Sequence, residues 1–284
     1  MIAFLGTGLL GANFTKALLQ KGQQVQVWNR TAAKAKALEA DGARAFDHAA
    51  DAVRDAGIIH LTLKDDAAVN EVLAAAEPGM KPGAVIVDHT TTSVAGAIER
   101  AQGWKAKGFR YLHAPVFMGP ANALESTGFM MVSGDQELIG QLQPSLSKMT
   151  GKLLNFGPRE GKAAGIKLIG NLFLVTFTAG IADTLALARA LHITPEEVGS
   201  LFDQWNPGAL LPARLKRVAA GDYSKPSWEL HMARKDTGLF MEEARKADVS
   251  LEVIPAIAAL MDRYIAAGHA HDDWTVLGKD AIGR

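Results

Sequence analysis

Residues 1–31 restrict the possible folds more than any other stretch. A short apolar run, Ile2-Ala3-Phe4-Leu5, reads as a buried strand and is followed at once by Gly6-Thr7-Gly8-Leu9-Leu10-Gly11. A helix and a second strand, 24–28, come next. G-x-G-x-x-G is a weak signal on its own in a chain with 28 glycines. Between a strand and a helix, each glycine has a physical reason. Gly6 makes the tight turn, Gly8 lets the backbone approach a pyrophosphate, and Gly11 lets helix and strand pack closely. The unpaired N–H groups at the helix start, around Thr7, Leu9 and Leu10, then serve the anion. An ordinary glycine-rich turn is the plainer alternative. The order of the elements favours a dinucleotide site.

The residues ending the second strand choose the dinucleotide. NAD sites place a carboxylate here, about 20 residues after the glycines, for the ribose 2′-hydroxyl. This chain has Asn29-Arg30-Thr31 instead. A guanidinium with amide and hydroxyl neighbours suits a 2′-phosphate, which a carboxylate would repel. NADP is therefore expected over NAD, the competing reading being that Arg30 is a solvated residue at a helix start.

Further along, periodicity predicts a helix over 32–40, a short strand at 43–45, a helix over 49–55 and a strong strand at 57–63. A helix to residue 76, a strand at 84–88, a helix over 95–107 and a strand at 109–116 follow. Lys64 and the Thr90–Thr92 run come directly after strands, where open α/β sheets bind ligands, and Ser93 has the character of a helix cap. The segment His113 to Pro120 reads as a shaped loop, with strands at 129–132 and 152–156 flanking a helix over 136–149. Beyond Gly157 the pattern changes to one long helix over 163–191 and then helix to the end, with Pro195 at a helix start after Thr194. The expected architecture is an α/β Rossmann-type N-terminal domain, 1–160, and an all-α C-terminal domain, 161–284, joined by the long helix.

Thirty basic and thirty acidic side chains leave no net charge, so nothing steers the chain toward nucleic acid or an anionic membrane. The absence of cysteine excludes disulfides, thiolate catalysis and cysteine-based metal sites. A strand beginning at residue 2 leaves no room for a signal peptide, and a cytoplasmic enzyme is expected. The segment 168–188 has nearly the length of a bilayer span, but it carries Asn171 and Asp183 and lacks an aromatic belt. A helix buried between domains or subunits is the expectation, with no membrane span. His269, His271, Asp272 and Asp273 read as a polar turn, with no metal expected, and Trp205 and Trp228 as core or interface residues.

The long helix carries Lys167 and Asn171 at i and i+4, on one face. Between Ile166 and Leu168 a lysine is partly desolvated, which lowers its pKa toward the range useful for proton transfer. Pattern alone leaves open a solvated surface lysine. At these residues the sequence resembles the β-hydroxyacid dehydrogenase family, which includes 3-hydroxyisobutyrate dehydrogenase and is distantly similar to 6-phosphogluconate dehydrogenase. The resemblance runs through four motifs in the family's order. Gly6, Gly8 and Gly11 match the first, and His113-Ala114-Pro115-Val116-Phe117-Met118-Gly119 stands where the family has D-A-P-V-S-G-G. Gly161, Lys167 and Asn171 match a glycine-led K-x-x-x-N, and Lys235-Asp236-Thr237-Gly238-Leu239 matches K-D-x-x-L.

This resemblance implies that Lys167 is the general acid/base and that Asn171 orients substrate or Lys167. It also implies that Lys235 reaches the cofactor, that Leu63 and Lys64 stand at a cofactor-contacting Leu-Pro, and that Thr91 is the nicotinamide-side threonine. Phe117, Met118 and Gly119 replace the Ser-Gly-Gly that cradles a substrate carboxylate, His113 replaces the leading Asp, and Asn122 and Ser126 replace later glycines. The pocket is thus expected to be more apolar than the family's, for a small-molecule hydroxy acid, aldehyde or ketone in a homodimer or higher homo-oligomer formed through the helical domain. Two alternatives stand beside this reading. One is an imine reductase, favoured by the bulky loop and opposed by Lys167, since that group usually carries Asp or Tyr there; the other is a non-catalytic NADP-binding module.

Overall fold

The computed structural model describes residues 1–283 and divides the chain into two compact units, Met1–Asn171 and Leu172–Arg284. In the first unit, strands and helices alternate: β1 Ile2–Leu5, α1 Leu9–Gln20, β2 Val25–Trp28, α2 Ala32–Lys36, β3 Arg44–Ala45, α3 Ala49–Val53, β4 Ile58–Leu61, α4 Asp66–Ala76, β5 Val85–Asp88, α5 Val94–Ala106 and β6 Arg110–His113. They form one parallel sheet in the order β3-β2-β1-β4-β5-β6. The order reverses between β1 and β4, and the carboxyl ends of strands at such a reversal open a crevice.

Both faces of the sheet are covered, which is why its central strands β1, β4 and β5 are largely apolar rather than alternating. Phe4, Val85 and Val87 enter one core with Phe14, Val27 and Leu112, while Leu5, Ile59, Leu61 and Ile86 enter the other with Leu73 and Val69. Successive side chains leave a strand on opposite faces, so β1 and β5 each feed both cores. Caps set the helix starts: Asp65 accepts from the Ala68 N–H at 2.9 Å and Ser93 from the Gly96 N–H at 3.0 Å.

Two predicted elements are corrected. The strand expected over 109–116 breaks at Ala114-Pro115, and β7 Val116–Phe117 belongs to a second sheet, β7-β8-β9, with β8 Phe129–Val132 and β9 Lys152–Asn155. Pro115 has no N–H to continue a ladder; its carbonyl instead accepts from the Met131 N–H at 2.9 Å. The expected loop ends in α6 Pro120–Glu125, which begins at its last residue with proline in the first turn. The helix expected over 32–40 tightens to a 3₁₀ turn at Ala37–Asp41, stopped by Gly42 at φ +99°. α7 Gln136–Leu146 joins β8 to β9, and α8 Lys162–Ala190 follows as the predicted long helix, so that the division between the units falls inside it.

The second unit holds the rest of α8 with α9 Pro195–Gln204, α10 Leu211–Ala220, α11 Leu230–Lys246 and α12 Ile254–Tyr264. Its own core is small, with Tyr223, Leu230, Ala233, Met261, Tyr264 and Val276. Buried Asp183 on α8 accepts from the N–H groups of Glu252, Val253 and Ile254 at 2.8–2.9 Å, closing the start of α12. α8 is long and apolar enough to cross a membrane by length and composition. Within a single chain its apolar face is open: Ile169, Leu172 and Val175 are 64%, 68% and 69% exposed. Trp205 and Trp228 are exposed as well, so neither is a core residue of one chain.

Candidate functional site

The turn after β1 shows which of its glycines packing demands. Gly6 has φ +93°, and a Cβ there would stand 2.3 Å from the Thr62 carbonyl oxygen. A Cβ on Gly11 would stand 1.9 Å from the Gly6 carbonyl oxygen. Gly8 differs, because nothing lies within 4 Å of the Cβ position. Gly8 is also the N-cap of α1, whose first turn has no side-chain cap and no acidic residue. The first N–H groups of the helix are therefore free for an anion. Beside them the Thr7 hydroxyl is buried without a partner among the described residues, and Leu9 is 81% exposed while Leu10 packs on the core.

Asn29 braces this turn. Its Oδ1 accepts from the Thr7 N–H at 3.0 Å and its amide donates to the Thr31 carbonyl at 3.1 Å. Arg30 and Thr31 are exposed at the end of β2, and Arg30 makes no ion pair among the described residues. After β4, the Leu63 N–H donates to Thr90 Oγ1 at 2.9 Å, and Leu63 Cδ2 lies 2.8 Å from the Cβ position of Gly6. Lys64 points away into solvent, its side chain 86% exposed and 3.7 Å from Asp65. Thr91 is exposed between buried Thr90 and Thr92.

Beneath this loop lies a buried polar layer that the sequence reading missed. His60 Nδ1 and His89 Nε2 are 2.9 Å apart, and His89 Nδ1 is 2.8 Å from the Ala114 carbonyl. Since a carbonyl only accepts, His89 donates from Nδ1 and receives at Nε2 the proton of His60. Burial pushes His89 down to about 4 and His60 well below the usual histidine range, with His89 adding to the effect on His60. Asp88 accepts from the Tyr111 hydroxyl at 2.6 Å and the Thr90 N–H at 2.9 Å, and the Arg100 guanidinium donates to the same tyrosine oxygen at 2.9 Å. His113 Nε2 lies 2.9 Å from the Thr90 carbonyl. These groups come from β4, the end of β5, β6 and α5, and only the ends of the apolar runs hinted at them.

The catalytic-motif residues enter from α8. Gly161, at φ +75°, packs on α5 so closely that a Cβ would stand 2.9 Å from Ile98, and Ser133 caps the new helix by accepting from the Ala163 N–H at 2.9 Å. Lys167 is half-buried, pairs with no carboxylate among the described residues, and burial lowers its pKa. Its Nζ lies over the ring of Phe117, 4.2 Å from the centroid. Asn171 is half-buried one turn further on. Met118 packs against the first core, and the Gly119 N–H donates to Asn122 Oδ1 at 2.9 Å. Ser126 takes φ +57°, the left-handed conformation that explains the family's glycine at that place.

Lys235, in the second unit, is exposed on α11 with its ammonium 2.8 Å from Asp236. His269 lies 2.6 Å from Asp272 and 2.8 Å from Lys279. His271 is brought instead beside Glu229 and His231, one ligand-type atom of each within 4.8 Å of the others. His231 comes from α11, so no local spacing could have paired it with His271.

Residues 1–157 match the family model of the NAD-binding domain of 6-phosphogluconate dehydrogenase, and residues 161–281 that of the NADPH-dependent reductive aminase-like C-terminal domain. The chain belongs to the β-hydroxyacid dehydrogenase family. Among its relatives is the 3-sulfolactaldehyde reductase of Escherichia coli K12, 27% identical over 281 residues, covering 97% of this chain and 94% of the relative. A probable 3-hydroxyisobutyrate dehydrogenase of Mycobacterium tuberculosis is 27% identical, covering 97% and 96%. The fold is shared with an imine reductase from Myxococcus stipitatus in complex with NADP+, at TM-score 0.90 and 23% identity over 98% of each chain.

Proposed function

We propose that this chain is an NADP(H)-dependent oxidoreductase that moves a hydride between nicotinamide and an oxygen-bearing carbon of a hydroxy acid, aldehyde or ketone. The observation that carries the reaction is Lys167, a half-buried amine with no carboxylate partner among the described residues, on a helix stripe with Asn171. A relative named as an aldehyde reductase and another named as a hydroxyacid dehydrogenase support the substrate class.

The turn fits the cofactor: Gly8 leaves room that a Cβ would enter, and the unpartnered Thr7 hydroxyl supplies a donor beside the free N–H groups of α1. Gly6 to Gly11 would hold the pyrophosphate, Arg30 and Thr31 the 2′-phosphate with Asn29 bracing the turn, and Leu63, Lys64 and Thr91 the remainder. When bound, the cofactor supplies or accepts the hydride. In reduction Lys167 gives its proton to the substrate oxygen; in oxidation the neutral amine takes it. Burial lowers the lysine pKa, so more of the neutral form is present near pH 7 than on a surface lysine. Asn171 orients the same oxygen or the amine, and Phe117, Met118 and Gly119 bound the substrate.

Residues 1–160 serve the nucleotide in this reading, and 161–284 the substrate and assembly. The exposed apolar face of α8 is covered by a second copy in a cytoplasmic homodimer. An imine reductase is the second reading, favoured by the reductive aminase-like match over 161–281. A screen of NADPH oxidation with short aldehydes, keto acids and a cyclic imine separates the two, and NADH repeats it. Lys167→Ala retains NADPH binding and loses turnover roughly 10²–10⁴-fold. Near-normal turnover in that variant overturns the role.

A further inference from the structure

Phe117 stands where the family pattern has serine, and its ring is held between two residues of α8. The edge of the ring rests on Gly170, where a Cβ would lie 2.2 Å from Cζ and 2.9 and 3.0 Å from the two ε carbons. Lys167 lies over the ring with Nζ 4.2 Å from the centroid. Positions 167 and 170 are three apart on the helix and share a face, so one aromatic plane meets both. We propose that Phe117 is the positioning residue for Lys167, a fixed platform seated on bare backbone that holds the amine in place for proton transfer. This deepens the reading of Lys167 above and rests on it.

The surroundings give the ring this role by elimination. β7 has no ionisable side chain, Lys167 makes no ion pair among the described residues, and the only other ionisable residue of α8 within the first unit is Lys162. A quadrupolar ring face attracts a cation, most strongly where water is partly excluded. It therefore favours the charged amine against the desolvation that opposes it, and it restricts a four-carbon stem that otherwise samples many rotamers. A serine could do neither. Gly170 is part of the device, because any Cβ there would push the ring off its seat.

The test needs no substrate. The full chain is labelled with [ε-¹³C]lysine, Lys167 is assigned by its absence in Lys167→Ala, and its ¹³Cε shift is titrated in wild type, Phe117→Leu, Phe117→Tyr and Gly170→Ala. Phe117→Leu keeps apolar bulk and loses the ring face, so its midpoint falls by roughly 0.5–1 pH. Phe117→Tyr restores it, and Gly170→Ala follows Phe117→Leu where it folds. A Phe117→Leu midpoint equal to wild type, or a tyrosine no better than leucine, overturns the proposal. Kinetics of Lys167→Ala test the catalytic reading separately: full turnover there sinks the function, whereas an unmoved titration in Phe117→Leu sinks only the platform.

Discussion

Replacing Gly8 and Gly11 by alanine separates what the turn does for the fold from what it does for the nucleotide. Gly8 has φ −70° and ψ −166°, extended backbone open to any residue, and nothing lies within 4 Å of its Cβ position. The cost of alanine there is that of a poorer N-cap, about 1 kcal/mol at most. On Gly11 the new Cβ would sit 1.9 Å from the Gly6 carbonyl oxygen and 2.4 Å from Thr62 Oγ1. Backbone must move, at about 1–3 kcal/mol or more. For the cofactor the ranking changes. A methyl on Gly8 would stand where the proposed pyrophosphate approaches, and losing one charge-assisted hydrogen bond costs about 1.5–3 kcal/mol, or roughly 10- to 150-fold in affinity. Urea melts paired with NADPH fluorescence titrations read both quantities. Gly8→Ala is expected to melt near wild type and bind NADPH at least 10-fold more weakly, while Gly11→Ala loses stability first. Unchanged NADPH affinity in Gly8→Ala would refute the placement of the pyrophosphate.

Other consequences are as direct. Arg30→Ala weakens NADPH binding by roughly 10-fold or more, the value of a charge-assisted contact, and leaves NADH unchanged; equal losses for both cofactors contradict the 2′-phosphate assignment. Stability falls on acidification, because the unfolded chain takes up protons below its histidine pKa of 6.5 that folded His89 refuses until about 4. The slope approaches 1.4 kcal/mol per pH unit for His89, about 3 kcal/mol in all across that window, and His60 adds in the same direction. Equal urea midpoints at pH 7 and pH 5 would show the pair is not buried as described. Leu172→Glu, at a position 68% exposed on α8, is expected to convert a dimer to a monomer by light scattering; a wild-type chain that is already monomeric at micromolar concentration removes the proposed interface.

What could be read from the sequence was what is written in single residues or in near neighbours. The β1-α1-β2 unit, the caps at Ser93 and Thr194 and the extent of α8 follow from period, glycine and cap chemistry, each acting within a few positions. Asn29 was read for its type, an amide near a phosphate, and the structure spends both of its ends on the turn itself. The failures have one cause, which is pairing across the fold. Pro115 lets a single apolar run serve two sheets, and that change of sheet carries Phe117 to Gly170 and Lys167. His60, His89 and His113 sit on or just after neighbouring strands, so their contact depends on strand order and register, which alternation alone does not encode. The lysine itself was visible as a cation in an apolar helix. The absence of a carboxylate partner among the described residues and the presence of a ring in its place were not, and in the proposed mechanism these decide how readily that amine gives up a proton.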